Sequence, residues 1–487
     1  MRLLLLCCCF LSAVPAAETV VTAPGGALRV VVSDGTRLTW RLERAGTAWI
    51  ADSPLGVTVN GVDWGADARL GAATTSQRDE TFPRRGAAST GRDHCTVAEI
   101  PVQSSVQAWK LEVRAFDTGA AWRYRAVLPP GAHRVTAEAS SWTLPAATTV
   151  WFFERDSDWK LKTYAGEWMS APIERMPTVS KQGPVQGGLL VGERAGGGEL
   201  VVGEAALAQW SGLRLRAVGN NRMQADATEG AAGFPVEAAL VSPWRMTIAV
   251  DDLDALLRCD LPWALNPPPD PALFADTTWI RGGLAVWDWL AKKSTGTPAV
   301  QRQYLELASE LGAAWIIVYD GWEKWPRAWD EIATLVTDAR QRGVLLMAWK
   351  KAPEIWAPAD DFATMRAYLD RCAASGVAGL ARREAMSTAL GRPNHRSAAT
   401  AERRAWASSL RTPPSTDRAM TLSDSRFMKN ATARMITMVV RTERKRRWRM
   451  PFRHSPKVRL SESWTWARTS IGGYAMLSPR RCPWSWA

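Results

Sequence analysis

The chain has 487 residues, 46% of them hydrophobic and 27 of them Trp, which excludes a disordered chain and allows two or three domains with sizeable cores. Its net charge of +13 raises nucleic acid as a partner. That charge is confined to one end: residues 381–487 hold 23 Lys and Arg against 6 Asp and Glu, whereas the first 380 hold 38 against 42.

The opening "MRLLLLCCCFLSAVPAAE" has a basic start at Arg2, an apolar run from Leu3 to Leu11 and a small-residue site at Val14-Pro15-Ala16. Residues 1–17 therefore read as a secretory signal peptide, too short for a permanent membrane helix, and a periplasmic or secreted location is expected. Cys7, Cys8 and Cys9 would leave with it. Cys95, Cys259, Cys372 and Cys482 are widely spaced and form no CxxC pattern, so neither a disulfide scaffold nor a zinc site is indicated. No later segment has eighteen or so consecutive apolar residues, and no membrane partner is expected.

Residues 18–265 carry short alternating segments, "ALRVVVS", "RLTWRLER", "AWKLEVRAF", "AAWRYRAVL", "ELVVGEAAL" and "WRMTIAV", punctuated by turn residues. A two-residue period marks strands with one buried face, and an N-terminal antiparallel β-sandwich is the expected architecture. Residues 266–275 form a linker whose prolines, beginning at Pro267, fix φ and remove donors.

From residue 276 to 380 the period changes. "TTWIRGGLAVWDW" predicts a strand and loop, "VQRQYLELASELG" a helix closed by Gly312, and "AAWIIVYDGW" a buried strand. "AWDEIATLVTDARQRG" predicts a helix ended by Gly343, "VLLMAWKK" a third strand, "ADDFATMRAYLDRCAASG" a third helix, and "VAGL" opens a fourth strand. Alternating strands and amphipathic helices specify parallel βα units, and four strands begun in about a hundred residues is the pace of a (β/α)8 barrel. A doubly wound sheet is the alternative, but no phosphate-type Gly-rich loop follows the first strand.

Residues 381–487 lose every period. "ARREAMS" delivers no strand after Leu380, and Arg, Ser, Pro, Met and Trp are mixed without helical or strand pattern. An out-of-frame translation of a GC-rich gene would produce this composition and so abrupt a start. The other reading is a genuine basic domain.

The blocks "VWFFERDSDWKLKTYAGEWMSAPIERMPTVSKQGPV", "LVVGEAALAQWSGLRL", "NPPPDPALFADTTWIRGGLAVWDW" and "WIIVYDGWEKW" resemble glycoside hydrolase family 97. The resemblance runs over about residues 20–380 and stops at Leu380. It implies a β-sandwich packed on a catalytic (β/α)8 barrel, a calcium ion near the pocket, and hydrolysis of terminal α-glucosidic or α-galactosidic bonds of oligosaccharides. Members either invert with a Glu base or retain with an Asp nucleophile, and retaining members place that Asp at the end of the fourth strand, in a segment like "KIDFMD", with the acid Glu later. Here that segment begins as "GVAGL" and continues Ala381-Arg382-Arg383. Glycoside hydrolysis needs two carboxyl groups about 5 to 5.5 Å apart for retention and wider for inversion. No catalytic residue is therefore assigned, and the chain is expected to be inactive as written.

The remaining strand ends carry the candidate substrate contacts. Trp287 and Asp288 offer a flat aromatic beside a carboxylate, which suits a sugar; plain core packing is the alternative for any single Trp. Asp320 and Trp322 stand where the family has a sequence resembling "DEGW", with Asp320 set against a solvated loop acid. Trp349 closes the third strand, followed by Lys350 and Lys351, read as a solvated basic pair. Glu167, in "YAGEW", is a weaker candidate for the pocket wall. Glu204, in "VGEAAL", matches the position where the family supplies a calcium-binding carboxylate, although one Glu is far short of six to eight oxygens. An α-linked oligosaccharide is the expected partner and nucleic acid is not. A non-catalytic carbohydrate-binding protein and nucleic-acid binding through the basic tail are the alternatives.

Overall fold

The computed structural model describes residues 16–84, 88–105, 107–154, 166–274, 276, 280–289, 295–383 and 420–421. The signal-peptide reading, apart from its last two residues, and nearly all of the tail lie outside the described residues. Two compact units divide between Pro267 and Pro268.

The first unit is antiparallel β. All six alternating segments are strands: Leu28–Ser33, Thr39–Arg44, Ala108–Phe116, Gly119–Val127, Glu199–Ala205 and Trp244–Val250. An eight-stranded sheet holds the first two, and an eleven-stranded sheet holds the other four. In the larger sheet Glu199–Ala205, Trp244–Val250, Gly119–Val127, Ala108–Phe116 and Thr90–Gln103 lie side by side in that order.

Between the sheets sits an aromatic core. Trp122 stacks on Trp142 with centroids 5.9 Å apart and meets Trp40 edge-on at 5.8 Å. Buried indoles need a partner for their N–H: Trp40 donates to the Ser141 carbonyl and Trp142 to Thr247 Oγ1, each at 2.9 Å. Trp244–Val250 is buried at all seven positions because both of its faces are covered. Trp244, Met246, Ile248 and Val250 pack in a cluster with Leu256 and Leu261 of the short helices Leu253–Arg258 and Leu261–Ala264. The alternate residues Arg245 and Thr247 face the other way, so an arginine enters the interior.

The second unit alternates strand and helix: Ala285–Val286, helix Pro298–Glu310, Trp315–Val318, helix Ala328–Gln341, Leu345–Lys351, helix Ala363–Ala374 and Gly379–Arg383. Every strand pair in it is parallel. Thr297 caps the first helix through Val300 N–H, and Gly312 and Gly343 take the positive φ that ends the first two. One face of the sheet packs Val286, Ile316, Val318, Leu346 and Ala348 against helix residues Leu305, Ile332 and Leu335. The opposite face carries Trp315 and Met347 with Ile280, Ile317 and Leu345.

Two expectations change. The first strand is only Ala285–Val286, and the fourth does not stop at Leu380. Trp349 pairs with Ala381, Lys350 with Arg382 and Lys351 with Arg383, while Gly379 and Leu380 pair on the far side with Met420 and Thr421. Ladder bonds belong to the backbone, so an edge continues through residues whose side chains carry no strand pattern. Among the described residues this makes an open sheet of five parallel strands.

Candidate functional site

The C-terminal ends of the second unit's strands gather aromatic side chains. Trp287 stacks on Trp289 at 5.3 Å, and both touch Tyr319, at 4.9 and 5.2 Å. Tyr319 in turn meets Trp349 at 4.6 Å. A continuous aromatic array thus runs from the first strand to the third. Trp287, Trp289 and Tyr319 are half-buried, and Trp349 lies deeper. Of these four, the sequence reading assigned Trp287 and Trp349 but missed Tyr319, the residue that joins them.

Asp320 is exposed at the same strand ends. Its backbone carbonyl accepts from Thr295 Oγ1 at 2.6 Å. The Thr295 carbonyl accepts from Gln301 Nε2 at 2.7 Å, and the same nitrogen donates to Asp288 Oδ2 at 2.9 Å. These bonds tie the loop after the first strand to the end of the second and hold Asp320 in place. Asp288 is only 1% exposed, so its carboxylate anchors that network from below the surface.

Trp322 is corrected. It is fully buried, donates from Nε1 to the Trp349 carbonyl at 3.0 Å and meets Trp329 edge-on at 4.9 Å. With no exposed face it braces the backbone beneath Trp349 and offers no stacking surface for a sugar. Lys350 also differs from the solvated residue expected. Its ammonium donates to Glu323 and is paired with Glu354, at 2.7 and 2.8 Å, and it lies 5.3 Å from the Tyr368 ring centre. Burial alone would lower the Lys350 pKa, but hydrogen bonds to Glu323 and Glu354 outweigh it and hold the value above the ordinary one. Lys351 remains exposed.

Glu167 and Glu204 belong to the first unit. Glu167 is exposed on Glu167–Pro172, opposite Glu154 in register. Glu204 has both oxygens engaged: Oε1 accepts from Leu213 N–H at 3.0 Å and Oε2 from Arg245 Nη1 at 2.8 Å. Arg245 also donates through Nε and Nη2 to Glu138, at 2.7 and 2.6 Å. Calcium needs several oxygens and repels a guanidinium at contact distance. These residues do not fit a calcium site at Glu204, and among the described residues no three His, Cys, Asp or Glu side chains converge on one.

The N-terminal domain model of glycosyl-hydrolase family 97 matches residues 21–268. The chain belongs to glycoside hydrolase family 97. It is 29% identical over 353 residues to a probable retaining alpha-galactosidase of Streptomyces bingchenggensis, covering 67% of this chain and 51% of the relative. It is 24% identical over 357 residues to a retaining alpha-galactosidase of Bacteroides thetaiotaomicron, covering 66% and 52%. The chain thus spans about half the length of these relatives. A family 97 enzyme of Pseudoalteromonas sp. strain K8, solved in complex with acarbose, superposes with a TM-score of 0.66 at 15% identity over 80% of this chain and 65% of that one. That likeness shows the fold: an antiparallel first domain followed by a partial α/β region.

Aromatic faces take the C–H face of a sugar, and a carboxylate beside them accepts from its hydroxyls. Breaking the bond requires a second carboxyl group. Among the described strand-end residues Asp288 is buried under the Gln301 bond, and the fourth strand ends in Ala381-Arg382-Arg383.

Proposed function

We propose that the chain is an exported family 97 protein built on an α-galactosidase plan. It holds a terminal α-linked galactoside on the Trp287–Tyr319–Trp349 array and, as written, does not turn it over. The contiguous array with exposed Asp320 at the same strand ends carries the sugar-binding part of this reading. The galactoside is supported by two relatives named alpha-galactosidase, and an oligosaccharide ligand by the family member solved with acarbose. Export is supported by the apolar run after Arg2. The absence of turnover is supported by the arginines that end the fourth strand, where the retaining chemistry would place a nucleophile.

Calorimetry with melibiose and an assay with an aryl α-galactoside test both halves. Melibiose is expected to bind in preference to maltose, and Tyr319→Ala to weaken it about tenfold, equivalent to ~1.4 kcal/mol. The aryl galactoside is expected to stay intact. Measurable turnover would overturn the second half. Equal binding of melibiose by wild type and Tyr319→Ala would overturn the first.

A further inference from the structure

The strand Thr74–Pro83 is the outer edge of the eleven-stranded sheet. It pairs antiparallel with Thr90–Gln103 along its whole length, from Thr74 opposite Glu99 to Pro83 opposite Thr90. Arg69–Leu70 continues the same edge alongside Val102 and Gln103. The other side of Thr90–Gln103 is filled by Ala108–Phe116. Among the described residues no strand pairs with the outer side of Thr74–Pro83. Eight of its ten residues are exposed, and the strand is about twice the usual length. An unpaired edge of this kind presents a row of free N–H and C=O groups, a template for another strand.

We propose that this edge pairs with the same edge of a second copy, forming a two-fold dimer with a continuous sheet. The charge order of the strand selects that partner and its register. Along an antiparallel edge only alternate residues turn their N–H and C=O outward, so a two-fold pairing must set one residue opposite its own copy. Centring on Asp79 places Arg78 opposite the second copy's Glu80, twice, and Gln77 opposite Thr81. Centring on Arg78 or on Glu80 would instead oppose two arginines or two glutamates. The two Asp79 carboxylates that meet at the axis are each already held by Arg92, through Nε at 2.6 Å and Nη2 at 2.7 Å. Arg78 and Glu80 of one chain lie 2.6 Å apart. Arg78 also pairs with the buried Asp93 at 2.6 Å, so two copies set each Arg78 among carboxylates and opposite the second copy's Glu80, a favourable cross-strand arrangement.

Sedimentation of the full chain over a wide concentration range tests this. The weight-average mass is expected to double as concentration rises. Glu80→Lys, at a side chain 59% exposed and so remote from the core, is expected to restore the monomer mass. The register is read with single cysteines under mild oxidation, against the unaltered chain. Asp79→Cys sits opposite itself and is expected to cross-link. Ser76→Cys is offset from its copy by six residues, roughly 20 Å at the rise of a strand, and is expected not to. A monomer at every concentration, a dimer untouched by Glu80→Lys, or cross-linking at Ser76 as efficient as at Asp79 would each overturn the proposal.

Discussion

Replacing Arg245 with methionine is expected to be among the most damaging single changes in the first unit. The Arg245 side chain is 2% exposed, Glu138 is 9% and Glu204 is 18%. One guanidinium is therefore shared between two carboxylates in the interior, and Trp210 Nε1 also donates to Glu138 at 3.3 Å. Removing one partner of a buried ion pair costs about 3–5 kcal/mol, because the charge left behind has no water to return to. For a unit of this size that lowers the melting temperature by roughly 6–20 °C. The sign of the pH dependence separates this cause from lost packing. In the wild type, burial alone would raise the Glu138 pKa, but the Arg245 guanidinium more than offsets it and holds the carboxyl below its ordinary value. Its contribution to stability is therefore present above that ordinary value and is lost as pH falls through the folded one. In Arg245→Met the guanidinium is gone, burial dominates, and the folded value rises above the ordinary one. The variant then loses stability as pH rises through that value. The penalty should be largest near neutrality and shrink towards pH 4, as read by melts of the near-ultraviolet circular dichroism. Adding Glu138→Gln should recover part of the loss at neutral pH. A penalty under about 1 kcal/mol at neutral pH, or an equal one near pH 4, would refute the reasoning, since a packing defect titrates with nothing.

Trp322→Phe keeps most of the buried ring but takes the Nε1 donor away from the Trp349 carbonyl; a loss of about 1–3 kcal/mol is expected in denaturant unfolding. Unchanged stability would mean the bond does not brace the third strand end. Burial pushes the Cys95 and Cys372 thiols up to about 12 and Cys259 up to about 11. Near neutral pH almost none of each is thiolate, so iodoacetamide followed by peptide mapping should find all three unmodified in the native chain and modified in denaturant. Rapid native labelling of any of them would contradict their burial.

What could be read in advance follows the range of the interactions involved. The period-two segments and the helices closed by Gly312 and Gly343 are local patterns, and the elements formed where those patterns lie. The extension of the fourth strand to Arg383 has no local pattern, because backbone pairing with the third strand sets it. Trp322 and Trp349 look alike in sequence, each an indole at a strand end. Only the direction of each ring decides that one braces the backbone and the other joins an aromatic array, and a single glycine turn before Trp322 separates the two outcomes. The Glu138–Arg245–Glu204 network was invisible for a related reason: its members are 107 and 41 residues apart. Glu204 alone resembles a metal ligand, whereas Glu204 facing Arg245 is half of an ion pair. The same carboxylate thus supports opposite chemistry according to a partner that spacing does not disclose. This is why Arg245→Met, more than any substitution of Glu204, tells the two roles apart: a carboxylate placed to hold a cation would let calcium restore stability to the variant, whereas a member of an ion pair with too few oxygens about it should leave the variant's melting temperature unmoved by calcium.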